Sequence, residues 1–266
     1  RSKAFFAEQL KDFQTSTEIP ADKNGEAADG NLAGVTVPVD FDTVNAYATR
    51  LGVTPAAVFL AATYYTVARF TNSKQVYLGT ISNGRSNLDI SNTMGMFVGT
   101  LPLASLIGDQ TVDEYVKQCG DNFALTLENE NYPFMQISSD YGFSPNLMYE
   151  YQRGVLEDYT LNGKKVGQEL LSLDKPRFKT SVKIEDEGVR VEYNDVFYNE
   201  ATMLRLAQCI SAVAERFAAG ENNLVKNTSI LTAEQDSELQ SLRHTCMDEK
   251  AIRFNLFHES VEHWAQ

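Results

Sequence analysis

Histidine is scarce in this chain of 266 residues, and its three copies, His244, His258 and His263, all lie in the last quarter. Histidine is the side chain that most often moves protons near neutral pH, and we interpret these three as surface residues near helix ends. The sequence also lacks G-x-S-x-G, H-E-x-x-H, Walker and G-x-G-x-x-G motifs, which argues against serine-nucleophile, zinc and nucleotide sites. We therefore predict no catalytic residue and no metal site in the chain.

Cysteine is rare as well. The three cysteines, Cys119, Cys209 and Cys246, include no C-x-x-C spacing. An odd number without that spacing argues against a disulfide framework or a zinc site, and it indicates a reducing, cytoplasmic location.

Positive charge is in short supply, because 23 Lys and Arg residues face 36 Asp and Glu residues, giving a net charge of −13. This excess repels phosphate backbones and anionic lipids, so neither a nucleic acid nor a membrane is an expected partner. The longest apolar stretch, Ala56–Ala62, is too short to span a bilayer, and the N-terminal residues do not form a signal peptide.

The sequence does contain enough apolar residues, 43% of the total, for a large core. Capping residues followed by amphipathic or apolar patterns predict helices after Asp40, Thr54, Thr111, Asn199 and Thr232. Apolar, β-branched or aromatic runs predict strands over Val35–Asp40, Gln75–Ser82, Met94–Leu103, Leu147–Tyr151 and Gly167–Ser172, then a hairpin that turns at Glu185–Gly188. The mixed order predicts an α/β sandwich with a mixed or mostly antiparallel sheet flanked by helices.

The stretch MGMFVGTLPL, Met94–Leu103, has no apolar-polar alternation and no group that titrates near neutral pH. We predict a buried strand that is covered on both faces. Glycine inside such a strand, here Gly95 and Gly99, indicates the close approach of another chain or of a ligand.

Several stretches, in this order, resemble the condensation domain of nonribosomal peptide synthetases. GTISNGRSN (79–87) is similar to its G-T-x-x-x-G-R stretch. MGMFVGTLPLAS (94–105) is similar to (I/V)-G-x-F-V-N-T-L-x-x-R, with Gly99 in place of Asn and Ser105 in place of Arg. ENENYPF (128–134) resembles (H/N)-Q-D-x-P-F and keeps Pro133 and Phe134. Weaker resemblances follow in the family's order over 138–151, 189–208 and 229–239, and residues 254–266 resemble the first helix of an adenylation domain.

The resemblance implies a chloramphenicol-acetyltransferase-like two-layer sandwich that forms a single lobe. Residues 1–34 would be the inter-lobe helix and linker, residues 35–230 the C-terminal lobe, and residues 231–266 the linker to the adenylation domain and its first helix. Both ends of the sequence break off within a helical pattern, so we expect a piece of a longer protein.

The family's H-H-x-x-x-D-G motif would lie in a preceding N-terminal lobe, so this lobe alone should be inactive. In the intact enzyme, the resemblance implies peptide-bond formation between thioesters on the phosphopantetheine arms of peptidyl carrier domains, with no cofactor bound directly. The expected partners are the N-terminal lobe, the adenylation domain and the carrier domains. An isolated lobe would expose the apolar face that meets its partner, so we expect it to dimerise, swap a segment or aggregate mildly.

The candidate residues lining an acceptor-side substrate tunnel are Asn83, Gly84, Arg85, Met94, Gly95, Phe97, Gly99, Thr100, Tyr132, Pro133 and Phe134. Met94, Met96, Phe97 and Leu101 would keep water out, while the glycines would let a thin pantetheine chain pass near the backbone. Each has a purely structural alternative: an ordinary core strand for Met94–Leu103, an ion pair with Asp89 for Arg85, and a helix end for Tyr132–Phe134.

Two other functional interpretations stay open. The chain could be the equivalent lobe of an epimerization domain, although residues 94–105 are more polar and aromatic in that subfamily, which usually lacks the Pro-Phe pair. It could also be a non-catalytic platform on which the adenylation domain packs.

Overall fold

A computed structural model describes residues 1–11, 13, 17–85, 93–154, 160–165, 175–220, 222–245 and 257–264. The described helices are α1 (Ser2–Leu10), α2 (Phe41–Leu51), α3 (Pro55–Thr71), α4 (Val112–Glu128), α5 (Phe134–Tyr141), α6 (Glu200–Ala218), α7 (Ala233–Thr245) and α8 (Phe257–Trp264). The described strands are β1 (Leu32–Val37), β2 (Gln75–Ser82), β3 (Gly99–Leu106), β4 (Leu147–Tyr151), β5 (Thr160–Leu161), β6 (Lys164–Lys165), β7 (Thr180–Glu185) and β8 (Gly188–Asn194).

Six of these strands form one mixed sheet in the order β1-β8-β7-β4-β2-β3. Strand β4 is parallel to both of its neighbours, β2 and β7, whereas the remaining pairs are antiparallel. The predicted mixed sheet flanked by helices is therefore confirmed. At its edge, β2 and β3 pair along their full length, from Gln75 opposite Leu106 to Ser82 opposite Gly99.

The main core lies between one face of the sheet and helices α2, α3, α4 and α6. Helix α3 is at its centre, because all twelve residues from Ala57 to Ala68 are buried. This placement accounts for a sequence that is apolar nearly all round the helix. Its N-cap is also as predicted, since the Thr54 side chain accepts a hydrogen bond from the Ala57 amide.

A second, smaller core covers part of the other face. Helices α1 and α5 pack there over β2 and β3, and Phe6, Leu10, Tyr77, Ile137 and Phe143 are buried between them. The sequence analysis missed α5, because Pro133 was read as the end of the preceding helix. In the structure, α4 already ends at Glu128 and Pro133 is the N-cap of α5, a position where its missing amide hydrogen has no cost.

Strands β2 and β4 and the 185–188 turn lie where they were predicted. Strand β1 begins three residues earlier than expected. The predicted strand over Met94–Leu103 is wrong in its first half, because residues 93–98 are neither helix nor strand and β3 begins at Gly99. The predicted strand over 167–172 falls outside the described residues.

Residues 19–31, which precede β1, are bonded to residues 195–199. Ile19 is buried, and its carbonyl accepts a hydrogen bond from the Tyr198 hydroxyl. The amides of Asp22 and Lys23 both donate to the Phe197 carbonyl. Backbone hydrogen bonds thus fix a segment that has few apolar side chains of its own.

The chain forms two compact units, Arg1–Ile230 and Leu231–Gln266. The first unit contains the entire six-stranded sheet together with residues 1–34. The second contains α7, whose predicted capping box is present, since the Thr232 and Gln235 side chains each accept from the other's amide. Among the described residues, no single helix is long and apolar enough to cross a membrane, although the bent pair α2 and α3 passes that test by length and composition.

Candidate functional site

The predicted site begins where β2 leaves the sheet, at Asn83, Gly84 and Arg85. The Asn83 Oδ1 atom accepts from the Arg85 amide at 3.0 Å, so the turn is closed locally. The Arg85 guanidinium then reaches across to residues 93–98. It donates to the Thr93 carbonyl at 2.8 Å and to the Gly95 carbonyl at 2.9 Å, and it lies 4.7 Å from the centre of the Phe97 ring.

Residues 93–98, which we call the methionine segment, lie on the surface rather than in a buried strand. Met94 is 98% exposed and Met96 is 87% exposed, while Phe97 is half-buried. Three large apolar side chains, Met94, Met96 and Val98, are thus directed to solvent over a stretch of five residues. The sequence-based prediction was wrong here because apolar composition was equated with burial inside this chain.

The three candidate glycines have different surroundings. Gly84 has φ +67°, and a Cβ there would lie 2.1 Å from the Phe97 carbonyl oxygen, so the turn requires glycine. Gly95 has φ +154°, and a Cβ would lie 3.3 Å from the Phe97 ring. At Gly99 a Cβ would meet nothing within 4 Å. Another stretch of backbone, at Phe97, therefore lies close to Gly84, whereas Gly99 borders open space.

A second predicted motif, ENENYPF, lies beside the turn at residues 83–85. Its Glu130 contacts the end of β2. The Ser82 hydroxyl donates a short hydrogen bond to the Glu130 carboxylate, and the Gly84 amide donates to the Ser82 oxygen at 3.1 Å. Sequence reasoning missed Ser82 and Glu130 as links between the motifs. No local pattern signals such a bond, which joins residues 48 positions apart.

Tyr132 is held by the second core. Its ring stacks on Phe6 with 5.8 Å between centroids, and its hydroxyl donates to Asp140 Oδ2 at 2.7 Å. Asp140 also accepts from Gln136 and pairs with Lys3 at 3.1 Å. Desolvation and the Asp140 hydrogen bond raise the pKa of Tyr132 to about 12, and the hydrogen bond from Tyr132 is the main cause that lowers the pKa of Asp140.

The two residues that follow Tyr132 open helix α5. Pro133 is exposed, and Phe134 is half-buried against Phe143 with 5.9 Å between ring centroids. Next to them, Met135 is 77% exposed. The Tyr-Pro-Phe motif therefore supports the fold through its two rings, and it adds another exposed apolar side chain near the α4 to α5 connection.

The structure therefore brings most of the predicted residues together. Gly84 and Arg85 contact the methionine segment, and Asn83 bonds the Arg85 amide. Gly99 and Thr100 pair with Ser82 and Ile81 across β2 and β3. The Tyr-Pro-Phe motif is connected to them through Glu130. Arg85 is not directed freely into solvent, and the predicted partner Asp89 lies outside the described residues.

In chemical terms, the candidate site residues provide backbone groups that can form hydrogen bonds, exposed thioethers and one guanidinium. Histidine is absent from residues 1–243 of the sequence. Among the described residues, no set of three His, Cys, Asp or Glu side chains could hold a metal ion. Cys119 and Cys209 are buried, and burial raises the pKa of their thiols to about 12 and about 11. The exposed thioethers, backbone groups and guanidinium are groups that can bind a ligand or a partner surface.

Comparison with known families decides the affiliation. The model of the family described as "Condensation domain" matches residues 1–240. The chain belongs to the condensation domain family. The fold agrees, and the mixed sheet with flanking helices is the chloramphenicol-acetyltransferase-like lobe that the resemblance implied.

Related synthetases share this condensation-domain region at low identity. Gramicidin S synthase 2 of Brevibacillus brevis is 22% identical over 88% of this chain, and the match covers 6% of that protein. Malpinin synthetase of Mortierella alpina is 27% identical over 69% of this chain and 2% of its own length. The chain thus spans less than a tenth of the length of these synthetases.

Solved structures agree on the fold. The X-domain from teicoplanin biosynthesis superimposes with a TM-score of 0.73 at 16% identity, over 86% of this chain and 57% of that chain. A four-domain nonribosomal peptide synthetase bound to AMP and glycine gives a TM-score of 0.72 at 17% identity, over 89% of this chain and 20% of that chain.

Proposed function

We propose that this chain is the C-terminal, acceptor-side lobe of a nonribosomal peptide synthetase condensation domain, and that it helps to form a peptide bond once an N-terminal lobe covers it. The observation that carries the proposal is the exposed methionine segment, an apolar stretch of the family's own motif that the chain leaves in solvent. The order of the remaining motifs supports the same assignment.

Partial coverage of the solved domains supports the proposal as well. The superposition uses 86% of this chain but 57% of the teicoplanin X-domain chain, so a large part of that domain has no counterpart here. A condensation-domain polypeptide from Monacolin K polyketide synthase is covered to a similar extent, 58%. The missing part would include the H-H-x-x-x-D-G motif, which this sequence lacks.

In the proposed reaction the acceptor amine attacks the carbonyl of the donor thioester, so that a C–N bond forms, the C–S bond breaks and the donor thiol is released. The base that takes the amine proton would come from the N-terminal lobe. This chain would bind and align the substrates, since holding two tethered reactants in place supplies much of the acceleration.

The candidate residues suit a substrate that arrives on a phosphopantetheine arm. Such an arm is a thin chain of methylenes and amides, and the open space beside Gly99 leaves room for it along the backbone. Met94 and Met96 would shield it from water, because thioether side chains adapt to irregular apolar surfaces. The arm is a substrate carrier in this proposal, and the carrier, adenylation and N-terminal partners belong to the same intact protein.

The test is amide formation by the intact protein, with acceptor and donor thioesters loaded on carrier domains. We expect activity from the intact protein and none from residues 1–266 alone. Gly95→Val should lower turnover, since a backbone at φ +154° disfavours a side chain and its Cβ would lie 3.3 Å from the Phe97 ring. Ala201→Val, at an exposed position of α6, is the matched control. Unchanged turnover with Gly95→Val would contradict the tunnel-wall role, and activity of the isolated chain would contradict the lobe assignment.

A second candidate is a non-catalytic docking platform. It is favoured by one structural neighbour, the X-domain that was solved in a complex with OxyB, which aligns with a TM-score of 0.70. A platform would bind a protein partner and leave amide formation unaffected by Gly95→Val. The same assay, combined with a binding measurement, therefore separates the two functions.

A further inference from the structure

The methionine segment has little internal structure to fix its shape. Residues 93–98 are neither helix nor strand, and Met94 and Met96 are almost fully exposed. A backbone without ladder hydrogen bonds or buried side chains loses conformational entropy when it is held in one geometry, and a contact from elsewhere must offset that cost. Contacts from outside the segment therefore determine whether it is preformed.

Arg85 supplies three such contacts at once. Two guanidinium nitrogens donate to the Thr93 and Gly95 carbonyls at 2.8 and 2.9 Å, and the guanidinium carbon lies 4.7 Å from the centre of the Phe97 ring. Only arginine has the planar fork of donors that can hold two carbonyls while its face lies near an aromatic ring. A lysine ammonium is a point charge and would keep part of this set.

The residues before Arg85 are themselves anchored to the sheet. The turn amides are bonded to Asn83 Oδ1 and to the Ser82 hydroxyl, and Ser82 donates to Glu130 just after the end of α4. Gly84 packs directly against the Phe97 carbonyl. The arginine thus connects a fixed part of the molecule, the end of β2, with residues 93–98, which form neither helix nor strand.

We propose that Arg85 is a positioning residue for peptide-bond formation, which holds the methionine segment in the conformation that lines the acceptor side of the substrate tunnel. The inference rests on the proposed function, and it differs from the sequence-based prediction that Arg85 itself lines the substrate tunnel. Arg85 acts through residues 93–98 and need not touch the substrate.

The first experiment is independent of catalysis. Amide hydrogen exchange of the 266-residue chain is measured by mass spectrometry for wild type, Arg85→Ala, Arg85→Lys and Arg205→Ala, an exposed α6 position that serves as the matched control. We expect at least about tenfold faster exchange of the segment amides in Arg85→Ala, a smaller increase in Arg85→Lys, and wild-type exchange in Arg205→Ala, since local opening is governed by local contacts. The melting temperature should not change, and unchanged exchange in Arg85→Ala would overturn the inference.

The second experiment uses the intact protein. We expect Arg85→Ala to lower kcat/KM for the acceptor thioester by about 10- to 100-fold, the order of loss that misplacement of a substrate-aligning group causes, with partial rescue by Arg85→Lys. The kinetic constants for the donor thioester should change much less. Wild-type kcat/KM in Arg85→Ala, or equal losses for donor and acceptor, would overturn the inference. If the wild-type intact protein forms no amide, the proposed function fails, and the exchange result still reports on Arg85.

Discussion

Helix α3 and the methionine segment are both rich in apolar residues, and their surroundings are opposite. In α3, every side chain from Ala57 to Ala68 is buried by the sheet and by neighbouring helices. In the methionine segment, Met94 and Met96 are almost completely exposed. Composition alone does not separate these cases. The difference teaches that an apolar sequence indicates a surface that is buried in the functional protein. The residues that bury it can belong to the same chain or to a partner.

The comparison is tested most strongly by truncating one side chain in each region. Phe59 is fully buried in α3 and contacts the rings of Phe41 and Tyr151. We expect Phe59→Ala to lower the free energy of unfolding by about 3–5 kcal/mol, because it removes transfer energy and leaves a cavity. Met94→Ala should change it by less than about 0.5 kcal/mol, since the side chain makes few contacts. Urea unfolding followed by circular dichroism measures both, and a large loss with Met94→Ala would show that the segment is buried in solution.

Two glycines at the edge of the exposed region sharpen the contrast. Gly84 combines φ +67° with a blocked Cβ position, whereas Gly99 has open space. We expect Gly84→Ala to destabilise the protein by about 1–3 kcal/mol through backbone strain. Gly99→Ala should stay within about 0.5 kcal/mol of wild type. Equal effects in thermal unfolding would mean that the turn at Gly84 is not packed against Phe97 as described.

Helix α3 and the methionine segment also show which features of the structure the sequence could predict and which it could not. The start of α3 was predicted correctly, because the Thr54 cap, the following proline and the apolar pattern are all local signals. The exposure of Met94 and Met96 could not be predicted, since it depends on which surfaces the rest of the chain covers. The site shows the same division: its motifs were recognised, but the bonds from Ser82 to Glu130 and from Arg85 to Thr93 arise from tertiary contact.

The stability of the protein should depend on pH because of a thiol in the main core. Cys119 is buried there, and desolvation raises the pKa of its thiol from 9.0 to about 12. Folding then favours the protonated thiol, so this contribution to stability is complete below pH 9 and is lost as the pH rises from 9 to 12. The loss can reach about 1.4 kcal/mol per pH unit. Urea midpoints at about pH 8, 9 and 10 should fall more steeply for wild type than for Cys119→Ala, and parallel curves would contradict the burial of the thiol.

The smallest predicted effect on stability concerns the N-caps of two helices in the main core, α4 and α6. Thr111 forms a capping box with Glu114 at the start of α4, in which each residue bonds the amide of the other. Asn199 occupies the same position in α6, but its side chain makes no capping hydrogen bond. We expect Thr111→Ala to cost about 1 kcal/mol, because it leaves an amide of the first turn without its partner. Asn199→Ala should cost less. Urea unfolding of the two variants measures the stability that each capping residue contributes. The sequence predicts a cap at both positions, but only Thr111 forms the hydrogen bond. Equal losses of unfolding free energy in the two variants would mean that tertiary packing, and not the capping bond, determines the stability of these helix starts.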